Sequence, residues 1–97
     1  MFVYKKFQNG TETLLAIADN EIIGKTFSEG ILQITVNRDF YCHEMCNEEE
    51  ALELMRDATS VNAVGAKIID VMLRKKIVRP EAILTIQGTP HVQIIAV

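Results

Sequence analysis

The Asn9-Gly10 dipeptide is the feature that most constrains the fold of this chain. It lies between residues 3–7 and residues 13–18, two stretches rich in β-branched, aromatic and aliphatic residues. Both residues of the dipeptide tolerate the positive φ angles of a type I′ turn, whose twist matches that of two paired strands. The N-terminal region is therefore predicted to form a β-hairpin, and its two strands are expected to be neighbours.

Further strands are predicted later in the chain. Apolar and polar residues alternate over 32–36, which is typical of a half-buried third strand. Residues 83–86 and 92–95 are also predicted strands, and the segment Gly-Thr-Pro-His at 88–91 between them has the composition of a turn. Residues 21–30 are polar and bracketed by glycine, so no regular element is predicted there.

A helical segment is predicted in the middle of the chain. Asn47 followed three residues later by Glu50 forms a capping-box pattern, which predicts a helix start. Apolar residues then recur at helical spacing over 51–58 and again over 61–72, as one kinked helix or two helices, before Pro80 ends the pattern. The element order β-β-β-α-α-β-β predicts an α+β fold. We expect an antiparallel or mixed sheet of about five strands, covered on one face by a two-part helical segment.

Bulk composition limits the possible classes of protein. A chain of 97 residues has room for one core, so residues 1–97 are predicted to form a single domain. Hydrophobic residues at 48% and charged residues at 24% exclude disordered and disulfide-scaffold proteins. No signal-peptide pattern or long apolar run occurs, which predicts a cytoplasmic protein with no membrane partner. A net charge of -3 argues against avid nucleic-acid binding without sequence preference, although a local basic patch remains compatible with binding.

Four soft donors make a complete set of zinc ligands by type. Cys42, His43 and Cys46 are close together, and His91 is the other histidine. Structural zinc sites usually present two donors at each of two knuckles, whereas His91 stands alone. We therefore predict free thiols, no metal and no cofactor, and keep a small zinc-stabilised scaffold as a second alternative.

Two residues of the helical segment are unusual among their small apolar neighbours. A buried Asn62 would need hydrogen-bond partners. Gly65 costs about 1 kcal/mol relative to alanine within a helix. Close packing of another backbone explains such a glycine in the structural interpretation, and a groove for a ligand explains it in the functional one.

Positive charge is concentrated at the end of the helical segment. This basic patch is a solvated surface in the simplest interpretation, and a docking site for RNA phosphates or an acidic partner in the functional one. Its residues are Arg74, Lys75, Lys76 and Arg79.

Four segments of the chain together resemble an archaeal family, domain-of-unknown-function family 424. They are residues 19–25 with Gly30, the pair Phe40-Tyr41, residues 62–65 (Asn-Ala-Val-Gly) and residues 88–93 (Gly-Thr-Pro-His-Val-Gln). The resemblance covers nearly the whole chain, and it implies no activity or cofactor because the family has none assigned.

The resemblance also implies a set of polar positions that would share one site, with both cysteines departing from the family's pattern. The positions are Asp19, Lys25, Tyr41, Asn62, His91 and Gln93.

The favoured function is that of a small cytoplasmic binding protein associated with RNA or the ribosome, in which the basic patch aids binding electrostatically. The binding residues of this hypothesis are Lys25, Tyr41, Asn62 and His91. The alternative is an enzyme acting on an anionic small molecule, in which Lys25 binds charge and His91 is the acid or base. The enzyme is less favoured because no recognisable catalytic unit occurs. The ligand, the oligomeric state and the strand order stay open.

Overall fold

The first two strands form the predicted hairpin, with a turn one residue later than expected. In this computed structural model, which describes residues 1–95, β1 (Phe2–Asn9) pairs antiparallel with β2 (Glu12–Asp19). The residues between the strands are Gly10 and Thr11, and Gly10 has a φ of +63°. Asn9 belongs to β1, because glycine alone supplies the left-handed conformation that the turn needs.

The remaining strands of the main sheet are added to the two outer edges of this hairpin. β5 (Glu44–Cys46) pairs antiparallel with β1. On the other side, β6 (Ser60–Val64) pairs parallel with β2, and β8 (Thr89–Ile95) pairs antiparallel with β6. The last strand, β7 (Leu84–Ile86), pairs antiparallel with β8. The strand order is β5-β1-β2-β6-β8-β7, so the predicted α+β class with a mixed sheet is confirmed, with six strands rather than about five.

A second sheet consists of two strands alone. β3 (Thr26–Glu29) and β4 (Leu32–Thr35) form an antiparallel hairpin. β4 is the predicted third strand, but it lies outside the main sheet, and β3 occupies the segment for which no element was predicted. The hairpin is tied to the turn after β7, since Ser28 N donates to Gln87 Oε1 at 2.9 Å and Gln87 N donates to Glu29 Oε1 at 2.8 Å.

Three helices occur among residues 1–95: α1 (Arg38–Tyr41), α2 (Glu48–Asp57) and α3 (Ala66–Arg74). The capping box predicted before α2 is confirmed, because Glu50 N donates to Asn47 Oδ1 at 2.8 Å and Asn47 N donates to Glu50 Oε1 at 2.9 Å.

The prediction of helix in the second part of the helical segment is wrong for residues 60–64, which form the strand β6. This strand lies between β2 and β8, and its five residues alternate only as far as Ala63, because Ala63 and Val64 are both buried, one on each face. So short an alternation did not distinguish the strand from the helical spacing of Val61, Val64 and Ile68.

Both faces of the main sheet are covered, whereas the sequence predicted cover on one. The face that we call the helix face packs against α2 and α3, and its core includes Leu15, Ile17 and Met72. The opposite face, the hairpin face, packs against α1 and the β3–β4 hairpin. Its core contains Ala16 and Val64, among other small residues. Small side chains on the hairpin face allow α1 and the hairpin to lie close to the sheet.

The start of α3 is held by Asp19, the last residue of β2. Because β2 and β6 are parallel, Asp19 and Gly65 lie at the same edge of the sheet. The Asp19 side chain is 4% exposed, and its carboxylate accepts hydrogen bonds from Lys67 N and Ile68 N, both at 2.9 Å. A carboxylate at this position satisfies backbone N–H groups that have no partner within the helix and complements the positive end of the helix dipole.

Gly65 is explained by this contact. Its φ is +124°, and a Cβ built on it would lie 2.6 Å from Asp19 Oδ2. The approach of another backbone, which the sequence suggested, is therefore replaced by the approach of a side-chain carboxylate.

We expect Gly65→Ala to lower the free energy of unfolding by at least about 2 kcal/mol, because the methyl group displaces the Asp19 carboxylate and the backbone is strained. Gly30→Ala is the matched control, since Gly30 also has a positive φ of +62° but has no atom within 4 Å of an added Cβ. It should cost about 1 kcal/mol, the cost of the left-handed backbone alone. Urea unfolding of both variants measures the difference, and equal losses would contradict the role given to Asp19.

A candidate ligand-binding cleft on the hairpin face

Three of the predicted polar residues form a chain of hydrogen bonds on the hairpin face. Tyr41 at the end of α1 donates its hydroxyl to Asn62 Oδ1 at 2.6 Å. His91 Nε2 lies 3.0 Å from the same oxygen. Asn62 is on β6 and His91 is on the neighbouring β8, which corrects the prediction that His91 belongs to a turn. The fold thus brings together residues from three separate segments of the chain.

The chemistry of the amide determines the protonation of its partners. An amide oxygen only accepts hydrogen bonds, so His91 must carry a proton on Nε2. Burial lowers the pKa of His91 and raises the pKa of Tyr41 to about 12. Both side chains are therefore uncharged at neutral pH, with His91 as its Nε2–H tautomer.

The free hydrogen-bonding capacity of Asn62 is on its nitrogen. The two lone pairs of Oδ1 are used by Tyr41 and His91. Within residues 1–95 no side-chain acceptor bonds Asn62 Nδ2, and no buried polar side-chain atom lacks a partner, so Nδ2 is reachable from solvent. Asn62 consequently has donor capacity on Nδ2 that is left for a molecule in the space beside it.

That space is a cleft of about 400 Å³, which we call the hairpin-face cleft. Its volume is within the range of small-ligand sites. Asn62 and Gln93 are direct cross-strand partners in it. Phe40 also lines the cleft, and its ring stacks on Phe7 with centroids 5.1 Å apart. The lining residues are Glu12, Leu14, Phe40, Ser60, Val61, Asn62, Gln93, Ile94 and Ile95.

Two of the six predicted polar residues lie elsewhere. Asp19 is on the helix face, where both carboxylate oxygens bind α3. Lys25 is exposed just before β3 and lines none of four clefts in the described part of the chain. The other four, Tyr41, Asn62, His91 and Gln93, share the hairpin face.

The basic patch lies on the opposite face from this cleft. It follows α3, which packs on the helix face. Arg74 is neutralised, since its guanidinium lies 3.0 Å from Glu48 and 2.9 Å from Asp70. In contrast, no carboxylate of residues 1–95 lies within 4 Å of the charged groups of Lys75, Lys76 or Arg79.

The four soft donors do not come together. Cys46 is buried in the core of the helix face, and burial raises its thiol pKa to about 11. Cys42 packs against the core of the hairpin face, and His91 is held by Asn62. Residues 1–95 contain no group of three or more side chains placed to hold a metal ion, so the zinc alternative lacks its ligand set.

Sequence reasoning missed several residues of the hairpin-face cleft. Ser60 lay at the junction of the two predicted parts of the helical segment, Glu12 lay just before the predicted second strand, and Ile95 was the last residue of a predicted strand. Recognising residues 60–64 as a strand would have placed Ser60 and Asn62 on one face by their period-2 spacing.

The comparisons with known proteins agree with the resemblance seen in the sequence. The model of the family described as "Protein of unknown function (DUF424)" matches residues 7–97. The chain belongs to the DUF424 family.

One solved structure similar to this DUF424 protein is the crystal structure of an uncharacterized conserved protein from Methanopyrus kandleri. It has a TM-score of 0.79 and 20% identity, with 96% of this chain and 89% of that chain covered. At this identity the similarity shows a common fold. No curated protein is significantly similar to the DUF424 chain. Within residues 1–95, no helix is long and apolar enough to cross a membrane.

We expect Tyr41→Phe to destabilise the DUF424 protein by about 1 kcal/mol, because it removes a donor from a partly buried amide oxygen. The second tyrosine of the chain provides the control. Tyr4 donates to Glu44 Oε2 at 3.2 Å in an exposed position, so Tyr4→Phe should change stability by no more than about 0.5 kcal/mol. Urea unfolding compares the two, and a larger loss for Tyr4→Phe would contradict the assignment.

We expect His91 to make the stability of the DUF424 protein depend on pH. The unfolded chain binds a proton at His91 near pH 6.5, whereas burial holds the pKa of the folded state lower. Below about pH 6.5 the unfolded state therefore binds more protons, and the free energy of unfolding falls as the solution is acidified. His91→Gln, which retains an N–H donor, should show a smaller fall between pH 7 and pH 5. Urea unfolding at the two pH values measures this fall, and an equal fall in the free energy of unfolding for His91→Gln and the unsubstituted protein would contradict the expectation.

Proposed function

We propose that this DUF424 protein binds RNA and receives one unpaired base in the hairpin-face cleft. The observation that carries the proposal is the Asn62 amide, whose oxygen is bonded to both Tyr41 and His91 in a residue that lines the cleft, while its nitrogen is bonded to no described side chain. The proposal is for a binding protein, and each part of it follows from the side chains that line the cleft.

Hydrogen bonding favours a base as the ligand. Purines and pyrimidines carry ring-nitrogen and carbonyl acceptors beside amino donors, and asparagine and glutamine match such edges. Asn62 offers two donors, and Gln93 across the strand pair offers a donor and an acceptor. Because Tyr41 and His91 already fix the Asn62 amide, little side-chain entropy is lost when a ligand binds.

Stacking supports the same ligand. Phe40 lines the cleft, and its ring is braced by Phe7 on one side and by Tyr41 edge-on, with centroids 5.1 Å and 4.9 Å away. A flat base is the ligand that uses an aromatic face together with amide groups, and each base–aromatic contact contributes about 1–3 kcal/mol.

The charges around the cleft indicate on which side of it the RNA phosphates would lie. Glu12 lies in the cleft and disfavours a phosphate beside it. Lys5 Nζ lies 5.1 Å from the centroid of the Phe7 ring, on the aromatic side of the site. We therefore expect the phosphates next to the bound base to lie towards Lys5, whose Nζ also donates to Asp39 O, and expect the basic patch on the other face to take no part in holding this base.

The enzymatic alternative has no observation in its favour. Lys25 and His91 line none of the four clefts in the described part of the chain. His91 is also engaged by Asn62, with its pKa lowered by burial.

The test is fluorescence anisotropy with labelled single-stranded oligoribonucleotides of each base at several salt concentrations. Gln93→Ala should weaken binding about tenfold, since an interaction of about 1.4 kcal/mol with the base is lost. Gln33→Ala is the matched control, because Gln33 is an exposed strand glutamine of the β3–β4 hairpin that lines none of the four clefts.

Free nucleosides form a second arm of the experiment. Equal affinity for a nucleoside and an oligonucleotide would show that the cleft takes a free base-bearing molecule instead of RNA. Affinity for all oligonucleotides no better than that of serum albumin, or equal binding by Gln93→Ala and Gln33→Ala, would overturn the proposal.

A further inference from the structure

A second concave surface lies on the helix face, between α2 and the segment that follows α3. This groove has a volume of about 360 Å³, and we call it the cationic groove. Its apolar part comes from Leu52 and Met55 of α2 and from Ile77, which is 37% exposed. Methionine in such a surface adapts to differently shaped apolar partners. The lining residues are Leu52, Met55, Arg56, Lys75 and Ile77.

The cations of the groove stand on both of its sides. Arg56 belongs to α2, and Lys75 directly follows α3 on the other side. Both are exposed, and no carboxylate of residues 1–95 lies within 4 Å of either charged group. An apolar floor between two unpaired cations is complementary to a partner with an apolar stripe flanked by acids.

The carboxylate in the same row of α2 as Arg56 does not cancel this charge, and Glu53 and Asp57, which are closer in sequence, form no ion pair with Arg56 within 4 Å. Glu48, Leu52 and Arg56 form one i, i+4 row of the helix. Glu48 is 3.0 Å from Arg74, which is also bound to Asp70. The acidic end of the row is thus already paired, while Arg56 at the other end is available. Lys76 and Arg79 add further positive charge on the connection after α3, and no carboxylate of the described residues, 1–95, pairs with either.

We infer that the cationic groove docks an acidic amphipathic helix of a partner protein. The apolar residues of that helix, spaced by three or four, lie on Leu52, Met55 and Ile77, and its flanking carboxylates face Arg56 and Lys75. An apolar strip with acids on both sides is chemistry that one short helix supplies. RNA lacks the apolar stripe that the floor requires. The inference is independent of the proposed RNA cleft, which lies on the opposite face of the sheet.

The experiment uses the full chain and a synthetic helical peptide of about 15 residues, with leucine at every third or fourth position and glutamate beside it. The same peptide with lysine in place of glutamate is the charge control. Binding is followed by isothermal titration calorimetry and by NMR shifts of the methyl groups of Leu52, Met55 and Ile77. We expect the acidic peptide to bind and the lysine peptide not to bind. The methyl signals of the groove should shift most, and the affinity should fall as salt is added.

Two charge reversals separate the groove from general electrostatics. Lys75→Glu should raise the Kd of the acidic peptide at least about tenfold. Lys25→Glu, which changes the net charge equally at an exposed site on the hairpin side, should leave it unchanged. Ile77→Ser should weaken binding without altering its salt dependence, and circular dichroism confirms that each variant is folded.

Several results would overturn the inference. They are equal binding of both peptides, equal effects of Lys75→Glu and Lys25→Glu, or methyl shifts outside the groove. Binding of phosphatidylglycerol vesicles without binding of the peptide would assign the groove to a lipid surface. If the protein dimerised and Lys75→Glu abolished the dimer, the groove would be assigned to a second copy of this protein.

If Lys75→Glu weakened RNA binding as much as it weakened peptide binding, the groove would be assigned to RNA. Gln93→Ala, which tests the RNA cleft, should leave peptide binding unchanged, so the two proposals fail separately.

Discussion

The parallel pairing of β2 with β6, closed by the Asp19 carboxylate at the start of α3, is the constraint on which the rest of this structure depends. It places the ends of both strands at one edge of the sheet, where Asp19 binds Lys67 N and Ile68 N. That contact directs α3 onto the helix face, and α3 in turn leaves the hairpin face to α1 and the β3–β4 hairpin. It also occupies the helix terminus that an external anion would otherwise use.

The two faces of the sheet consequently differ in chemistry. On the hairpin face, small core residues let Tyr41 reach Asn62, and the resulting hydrogen-bond chain is uncharged and partly buried. On the helix face, the core is built from larger aliphatic residues, and Arg56 and Lys75 add positive charge beside the apolar residues of the cationic groove. The hairpin face therefore offers neutral hydrogen-bonding groups, whereas the helix face offers apolar groups beside cations.

Local signals in the sequence predicted local structure well. The Asn47 capping box and the first hairpin depend on residues a few positions apart, and the structure contains both. The strand at 60–64 was missed because the strands that pair with its two edges, β2 and β8, are distant in sequence. The family pattern brought Tyr41, Asn62 and His91 together correctly, but it grouped Asp19 with them, although Asp19 binds α3 on the other face. Neither residue type nor spacing encodes which face of a sheet a side chain reaches when the strand itself is not recognised.

The same β2–β6 pairing has a consequence for the order in which the chain folds. Thr13 N donates to Thr59 Oγ1, and Thr59 N donates to Thr13 O, across a sequence separation of 46 residues. The β1–β2 hairpin closes over a turn of two residues, so it forms quickly, whereas the parallel pair must wait for a long loop to close. Until then, the inner edge of β2 is unpaired and carries Leu15 and Ile17 beside open backbone groups. The slow step of folding is thus also the step during which the chain is most exposed to aggregation.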